Sequence, residues 1–366
     1  MEKLIDIISE FNFKGIFFKK RIIKSGHIND TYILEFTDPA NEIKRYILQK
    51  INTEVFKNPD ALMKNIDKTS KCLQMKLKGK ERTLSIIRTK SNELFLQLNS
   101  HECWRAYDYI ENTNCYQRVT SADQMHKAGK AIANFHLLLA DFKVDGLHMT
   151  IKEFHNTALI YDQFVMDLQK DTTSKVSEIS EECLFFEERK GYYGIYQSLK
   201  EKGELPLRVC HNDTKFNNIL FDKDTDDPVA IIDLDTVMPG FILNDFGDAV
   251  RTGANMALED EADLEKVHFN VSFFESFAKG YLEIARAFIT QKEAEWLAVS
   301  PYIITLEQGI RFLHDHIKGD VYFKTSRKDH NLDRARNQIK LAKQMELRLD
   351  NMKDIVNNLI KSNSTS

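Results

Sequence analysis

The sequence predicts an α+β fold of two lobes, a β-rich N-terminal lobe followed by a mainly helical C-terminal lobe. Short runs of β-branched and aromatic residues recur between residues 17 and 110, whereas apolar residues at helical spacing dominate from residue 112 onward. The chain has 366 residues, which is enough for two units of about 150 residues each. Its 14 glycines and 6 prolines are few, and this favours long helices over a turn-rich all-β design.

The N-terminal lobe is expected to comprise residues 1–110. Its predicted strands cover residues 17–23, 31–36, 45–51, 84–89, 93–98 and 103–110. Asn58 and Pro59 mark the start of a helix between the third and fourth strands. The C-terminal lobe is expected over residues 111–366. Thr120 and Ser121 can cap a helix that runs to about residue 141, a strand–loop–strand unit spans residues 207–236, and helical patterns cover residues 245–287, 292–317 and 332–360.

Composition excludes several classes of partner and location. Lysine and arginine number 51 and aspartate and glutamate 55, which gives a net charge of −4 and no field to attract nucleic acid or anionic lipid. The five cysteines form no CxxC pair, which indicates a reducing compartment. No signal peptide and no run of 18 apolar residues is evident, so the sequence predicts a cytoplasmic protein with no membrane partner. The oligomeric state is open, and a monomer is expected.

The segment from His211 to Asn218 has the pattern H-x-D-x-x-x-x-N, and a second aspartate, Asp233, ends the apolar run that follows. Phosphoryl transfer needs a carboxylate that orients and deprotonates a hydroxyl, and two oxygen ligands for a magnesium ion on the phosphates. We expect Asp213 to be the catalytic base and Asn218 and Asp233 to be the metal ligands. The predicted cofactors are therefore ATP and Mg²⁺.

A simple Asn- and Asp-rich turn would also explain this segment, because these residues favour turns. The β-rich lobe upstream and the strand that ends in Asp233 favour the kinase interpretation. Downstream, Asp245 begins the sequence Asp-Phe-Gly, but Asp233 has the better spacing for a metal ligand. We expect Asp245 to be a buried acid that braces the catalytic loop. Asp235 is either an extra ligand or substrate contact, or a solvated loop acid.

The nucleotide is expected to lie under the hairpin from Ser25 to Asp30, between the first two strands. Ser25, His27, Asn29 and Thr31 are its candidate phosphate contacts, although a plain β-turn explains the same residues. Lys50 on the third strand is the candidate phosphate cation, and strand alternation alone leaves Gln49 as the alternative. The following helix lacks a glutamate to pair with it, and Asp60 and Asp67 are the nearest acids. Asp108, Tyr109 and Ile110 are expected to form the hinge against adenine. No P-loop or dinucleotide-binding glycine motif occurs.

These motifs resemble those of the aminoglycoside phosphotransferase and choline kinase superfamily, which has a protein-kinase-like fold. The shared pieces are the H-x-D-x-x-x-x-N loop, the strand that ends at Asp233, the later Asp245, and the helical segment 129–136, GKAIANFH. Within the superfamily the sequence is most similar to N-acetylhexosamine 1-kinases. That similarity covers most of residues 15–345 and is carried by segments 25–32 (SGHINDTY), 46–52 (YILQKIN), 211–218 (HNDTKFNN), 232–240 (IDLDTVMPG), 245–248 (DFGD), 251–255 (RTGAN), 319–324 (GDVYFK), 330–332 (HNL) and 334–338 (RARNQ).

The resemblance implies phosphorylation of the anomeric C1 hydroxyl of N-acetylglucosamine or N-acetylgalactosamine, with Asp213 accepting the proton. The implied sugar contacts are His27, Asp235, Arg311, Asp320, Tyr322 and Lys324. For Arg311 and Lys324, an ordinary salt bridge on a helix face is the competing explanation. Another kinase of the superfamily, acting on choline, an aminoglycoside, methylthioribose or homoserine, stays an alternative, as does an inactive nucleotide-binding module. A choline site should show an aromatic cage, and an aminoglycoside site an acidic cleft.

Overall fold

The computed structural model describes residues 2–23, 28–170 and 178–362. Its N-terminal lobe is built on an antiparallel sheet of six strands in the order β1-β2-β3-β6-β4, with β5 paired to β6. The strands are β1 Ile16–Ile23, β2 Asp30–Thr37, β3 Ile43–Ile51, β4 Ile86–Ile87, β5 Leu96–Asn99 and β6 Glu102–Asp108. The predicted strands of this lobe are therefore confirmed in order, although the fourth is only two residues long.

Two helices belong to this lobe. Helix α1, Glu2–Ser9, places Ile7 and Ile8 against the sheet and was not predicted. Helix α2, Pro59–Lys76, begins where the Asn58-Pro59 pair predicted, because the side chain of Asn58 accepts a hydrogen bond from the Ala61 backbone N–H.

The C-terminal lobe is mainly helical and carries two small sheets, of order β10-β9-β7 and β11-β8. Ser121 caps α3 as predicted, by accepting from Gln124 N at 3.1 Å. The elements are β7 Thr113–Cys115, α3 Ala122–Leu138, α4 Thr157–Lys170, α5 Ser180–Glu187, α6 Ile195–Glu201, β8 Arg208–Cys210, β9 Ile219–Asp222, β10 Pro228–Ile231, β11 Met238–Gly240, α7 Ile242–Gly253, α8 Val271–Ala285, α9 Gln291–Trp296, α10 Ser300–Ile317, α11 His330–Glu346 and α12 Leu349–Ser362.

All three of the predicted long helices from residue 245 onward are divided in the structure, and the one predicted over residues 292–317 is α9 and α10. The predicted helix over residues 245–287 is α7 and α8 with a loop between them, and the last one is α11 and α12. The α+β fold of two lobes is otherwise as predicted. The division at residues 110 and 111 stays a prediction.

One of the three apolar cores is shared by both lobes. It joins Leu62 and Ile66 of α2 to Phe135 of α3 and to Leu234 and Val237, which flank the end of β10. The loops after β8 and β10 line a cleft together with strands β2, β3 and β6 of the first sheet. The fold therefore positions the predicted catalytic residues between the lobes.

Candidate active site

The loop that follows β8 carries two of the residues predicted for catalysis. Asn218 Nδ2 donates to the backbone oxygen of Asp213 at 2.8 Å and lies 3.4 Å from Asp213 Oδ2. This contact uses the amide nitrogen, so the amide oxygen of Asn218 is the atom that can face a cation. The structure thus brings Asp213 and Asn218 together on one loop.

Asp233 follows β10 and lies in the same cleft, where it begins a short 3₁₀ turn, Leu234–Thr236. Its backbone is left-handed, with φ at 62° and ψ at 55°. Desolvation by the surrounding protein, followed by repulsion from the carboxylates of Asp235 and Asp213, raises the pKa of Asp233 to about 6. Carboxylates that repel one another in this way form the environment that a divalent cation relieves. Asn218 and Asp233 therefore fit a magnesium ion.

Asp245, in the first turn of α7, is the buried acid that the sequence predicted beneath the catalytic loop. Its Oδ1 accepts from Asn212 N at 2.6 Å, and its Oδ2 accepts from His211 N at 2.7 Å. His136 Nε2 also lies 2.7 Å from Oδ2. Burial opposes the charged form, but the hydrogen bond from His136 and the charges around it outweigh burial and lower the pKa of Asp245. The predicted bracing role is confirmed.

The nucleotide side of the cleft is a cavity of about 310 Å³. Asp108, Tyr109 and Ile110 line it, together with aliphatic side chains of both lobes, Ile23, Ile33, Ile47, Leu220 and Ile232. The backbone N–H groups of Asp108 and Tyr109 already donate to Ser85 O at 2.9 Å and Arg45 O at 3.3 Å. An adenine here would use carbonyl groups or the Ile110 N–H. A larger cavity of about 590 Å³ lies behind the cleft between α2 and α3, and none of the predicted site residues lines it.

The predicted phosphate loop is only partly within the described residues. Ser25 and His27 lie outside them. Asn29 Nδ2 donates to Asp235 Oδ2 at 2.7 Å, which joins the hairpin to the C-terminal lobe. Thr31 Oγ1 accepts from Gln49 Nε2 at 3.0 Å and lines the cleft. Both residues therefore face the predicted site, but their side chains bind protein groups.

The structure separates Gln49 from Lys50. Gln49 lines the cleft, whereas Lys50 is not among the described residues that do so. Lys50 lies on the opposite face of β3 with Leu48, because neighbouring residues of a strand point to opposite sides. Its charge acts on Glu102 of the neighbouring strand β6. The choice of Lys50 as the phosphate cation is therefore corrected: this geometry puts Gln49 in the cleft.

Arg105 of β6, which the sequence analysis did not single out, is a cation of the N-terminal lobe that lines the cleft. It lies opposite Gln49 in the strand register, and its Nε donates to Gln49 Oε1 at 3.0 Å. Its Nη1 and Nη2 lie 2.6 Å and 2.8 Å from the two oxygens of Asp235. Asp235 is therefore a buried, paired acid and not a solvated loop acid. A signal for Arg105 did exist, since it is an arginine in an otherwise apolar and aromatic strand.

The acceptor side of the cleft is a second compartment of about 140 Å³, continuous with the first through Lys215, Asp233 and Asp235. Of the predicted sugar contacts, Asp235, Arg311 and Tyr322 line it. Asp320 and Lys324 are not among its described lining residues, and their role as sugar contacts stays a prediction.

Each of these two residues has a structural partner. Asp320 Oδ1 accepts from Asn331 Nδ2 at 2.8 Å. Lys324 Nζ lies 3.2 Å from Asp30 Oδ1, where it bridges the lobes near the surface. Both side chains are therefore used for packing the fold around the compartment.

Charged residues that the sequence analysis did not assign complete this compartment. Lys215 Nζ lies 3.1 Å from Asp213 Oδ1. Burial opposes its charge, but Asp213 and other nearby acids outweigh burial and raise the pKa of Lys215. Asp248, Arg251 and Arg334 are buried in the same wall. These residues fall within segments that resemble the family. The resemblance could have identified them, but the sequence alone assigned them no role.

A buried histidine ties the acceptor wall to the catalytic loop. His155 Nδ1 lies 2.7 Å from Glu307 Oε1, and its Nε2 lies 3.0 Å from the backbone oxygen of Asn212. Both ring nitrogens thus face oxygen acceptors, which suits an imidazolium with two N–H donors. Burial lowers its pKa, but the charge of Glu307 outweighs burial and the pKa of His155 is raised. Arg311 Nε lies 3.1 Å from the same Glu307 oxygen.

A β-rich lobe and a helical lobe, with the predicted base and metal ligands in the cleft between them, are typical of a kinase-like phosphotransferase. Residues 20–275 match the phosphotransferase enzyme family, and this is more than half of the chain. The chain belongs to that family.

Solved structures share the fold along nearly the whole chain. A microcompartment-associated aminopropanol kinase is 12% identical with a TM-score of 0.64, and the match covers 96% of this chain and 98% of that one. A spectinomycin phosphotransferase in complex with ADP and spectinomycin is 16% identical with a TM-score of 0.60, covering 94% and 98%. An amicoumacin kinase in complex with AMP-PNP and Ca²⁺ is 13% identical with a TM-score of 0.61, covering 94% and 93%.

Across residues 2–23, 28–170 and 178–362, no helix has the length and apolar character needed to cross a bilayer.

Proposed function

We propose that this chain is an ATP- and Mg²⁺-dependent kinase that phosphorylates the anomeric C1 hydroxyl of an N-acetylhexosamine, either N-acetylglucosamine or N-acetylgalactosamine. Residues 1–110 would bind the nucleotide, and residues 111–366 would carry the catalytic groups and bind the acceptor. The family match supports the kinase chemistry. The observation that carries the choice of acceptor is the stacking of two arginines on aromatic rings of the compartment beside Asp213.

The chemistry follows from the residues around Asp213. When bound, magnesium would neutralise charge on the phosphates, and Asn218 and Asp233 would hold it. Asp213 takes the proton of the C1 hydroxyl while the bond from that oxygen to the γ-phosphorus forms and the bond from the γ-phosphorus to the ADP oxygen breaks. Lys215, 3.1 Å from Asp213, is positioned to stabilise the oxygens of the phosphoryl group in transit.

The aromatic rings of the acceptor compartment disfavour an ammonium group bound in an aromatic cage. Aromatic rings can form such a cage, but here arginines occupy two of the ring faces. The guanidinium carbon of Arg311 lies 4.4 Å from the centre of the Phe154 ring, and that of Arg334 lies 5.6 Å from the Phe312 ring. An ammonium group would meet these two like charges at the faces it needs. A neutral acceptor such as an N-acetylated sugar meets no such repulsion.

Two buried polar atoms in the same wall support a polyhydroxylated acceptor. Asp248 Oδ2 and Arg334 Nε both lack a hydrogen-bond partner within the part of the chain that the structure describes. A buried polar atom without a partner is unfavourable, so each favours a ligand that satisfies it. A sugar can do both, with one hydroxyl donating to Asp248 and another oxygen accepting from Arg334.

An acceptor panel tests the proposal. Purified protein with ATP and Mg²⁺ would be offered N-acetylglucosamine, N-acetylgalactosamine, choline, aminopropanol and spectinomycin, and ³¹P NMR would locate the new phosphate. We expect an anomeric phosphate on at least one N-acetylhexosamine. Asp213→Asn should lower kcat by at least about 1,000-fold with little change in the affinity for ADP. Turnover confined to the amine acceptors would contradict the proposed substrate and leave the kinase class in place.

A further inference from the structure

We propose that Arg105 and Asp235 form an interlobe lock that positions the turn carrying Asp233. The pair would take over the role that the sequence suggested for Lys50 and an acid on α2. This inference rests on the nucleotide and metal chemistry of the proposed function, but not on the identity of the acceptor.

The lock consists of a buried carboxylate that receives three donors from the N-terminal lobe. Arg105 Nη1 lies 2.6 Å from Asp235 Oδ1, and Arg105 Nη2 and Asn29 Nδ2 lie 2.8 Å and 2.7 Å from Oδ2. Arg105 is 1% exposed and Asp235 is 4% exposed. A bidentate arginine–carboxylate pair has a fixed geometry, so it holds both its partners in register.

Both sides of the lock are supported. On the N-terminal side, Gln49 Oε1 accepts from Arg105 Nε at 3.0 Å, and the sulfur of Met63 on α2 lies 3.9 Å from Nη1. Helix α2 also binds the far end of the turn, because Asn65 Nδ2 donates to Val237 O at 2.9 Å. Helix α2 thus contacts the turn that carries Asp233 through the buried side-chain amide of Asn65. The sequence had led us to expect an acidic residue of α2 in this role.

On the C-terminal side, the turn is joined to the catalytic loop. Thr236 Oγ1 donates to His211 O at 2.7 Å, and Asn212 Nδ2 donates to Thr236 O at 2.9 Å. His211 Nε2 lies 2.9 Å from Ile232 O, directly before Asp233. A displacement of Asp235 is therefore transmitted to Asp233 on one side and to the loop of Asp213 on the other. Arg105 and Asp235 are positioning residues in this sense.

The test uses Arg105→Lys, which keeps the charge but cannot make the bidentate contact. The readout is the affinity of the protein for Mn²⁺ in the presence of ADP, followed by electron paramagnetic resonance, which needs no acceptor and no turnover. We expect the dissociation constant for Mn²⁺ to rise about 10-fold or more, and excess metal to restore most of kcat. The KM for the acceptor at saturating metal should stay within about 2-fold.

A milder variant, Asp235→Asn, keeps the shape and removes the charge, so it covers the case in which Arg105→Lys folds poorly. It should weaken Mn²⁺ binding in the same direction. Because both residues act through one contact, the double variant should be weakened no more than the worse of the two single variants.

The matched control is a second bidentate pair of the same chain, which is half-buried at Arg208 and whose residues are not among the described ones that line the cleft. Arg208 Nε and Nη2 lie 2.6 Å and 2.8 Å from the two oxygens of Glu293. Arg208→Lys should lower the melting temperature and leave Mn²⁺ affinity unchanged. An equal loss of Mn²⁺ affinity in Arg208→Lys, or none in either lock variant, would overturn the lock alone. A wild-type protein that fails to bind Mn²⁺ and ADP would overturn the proposed function and the lock with it.

Discussion

The position of Asp233 suits a bound metal ion. When no metal ion is bound, the same position destabilises the folded chain. It adopts a left-handed backbone and lies beside the carboxylates of Asp235 and Asp213. Both features oppose the stability of the folded chain, since left-handed backbone is strained and like charges repel. Such local conflicts are typical of functional positions.

We predict that Asp233→Asn abolishes transfer but stabilises the metal-free protein at pH 8. The folded pKa of about 6 is above the reference value of 3.8, so the charged carboxylate opposes folding at high pH. The melting temperature in a chelating buffer should rise by about 2 °C, a small value because the side chain still meets solvent in the cleft.

The pH dependence checks the sign of this effect. The cost of the charge is complete above pH 6 and vanishes below about pH 4, where Asp233 is protonated in both the folded and unfolded states. The advantage of Asp233→Asn should therefore shrink as the pH falls through this window. A melting temperature equal to or below that of the wild type at pH 8 would contradict the prediction.

Residue roles were predictable where local spacing determines them. Asp213 and Asn218 are on one loop, so their sequence separation alone places them together. The choice between Gln49 and Lys50 depends on which face of β3 meets the cleft, and the pattern of that strand does not say so. Arg105 meets Asp235 across 130 positions of sequence, and no local pattern encodes such a contact.

At the scale of the elements, helices α3 and α8 approach closely because of two glycines. A Cβ atom on Gly280 would lie 2.0 Å from the backbone oxygen of His126, and one on Gly129 would lie 2.3 Å from that of Phe277. Backbone atoms cannot move aside as flexible side chains do. The short distance between the two helices therefore requires glycine at both positions. At this distance, His136 on α3 contacts Asp245.

We predict that Gly280→Ala destabilises the protein by about 3 kcal/mol, although alanine ordinarily favours a helix by about 1 kcal/mol over glycine. The loss should appear as a lower midpoint in urea unfolding. Gly191→Ala is the control, because a Cβ there meets no atom within 4 Å and the substitution should be near neutral. Equal stability of the two variants would show that the helices can separate at little cost.

Elements with capping signals were the most predictable. Asn58 and Ser121 each accept a backbone hydrogen bond at a predicted helix start. The loop between α7 and α8 was read as helix because Asn255 and the residues after it contain too few breakers to mark a loop. Helix α1 was missed because eight residues make a weak periodic signal, and its packing on the sheet stabilises it.

At the scale of the molecule, the shared core ties the stability of the two lobes together. Leu62 of α2 is fully buried among residues of both lobes. If one lobe unfolded, the apolar residues that the other lobe contributes to this core would be exposed to water. Both lobes are therefore expected to unfold in one transition.

The two tryptophans allow this expectation to be measured. Trp104 lies in β6 and Trp296 in α9, so the variants Trp296→Phe and Trp104→Phe each report one lobe by fluorescence. The two urea midpoints should coincide. Leu62→Ala should lower the free energy of unfolding by about 2 to 5 kcal/mol and should lower both urea midpoints together. Leu347→Ala, at a position 84% exposed, should change neither midpoint. A separate, earlier transition at Trp104 would show that the lobes unfold independently.

The architecture as a whole followed from the sequence because the periodicity changes from strand to helix near residue 110. How the lobes are joined did not, since Leu62, Phe135 and Val237 meet only in the folded chain. The acceptor compartment belongs to the same class of feature, because helices distant in sequence contribute its walls.

The buried pair of Arg105 and Asp235 also bears on how this protein can diverge. Each charge is the counter-charge of the other, so a change at either position alone leaves an ion stranded away from water. In lineages descended from such a protein, the two positions should be inherited as a unit and replaced only in concert. Substitutions in the rest of the acceptor wall do not break this ion pair. The substrate can therefore change through such substitutions while the junction between the lobes is kept.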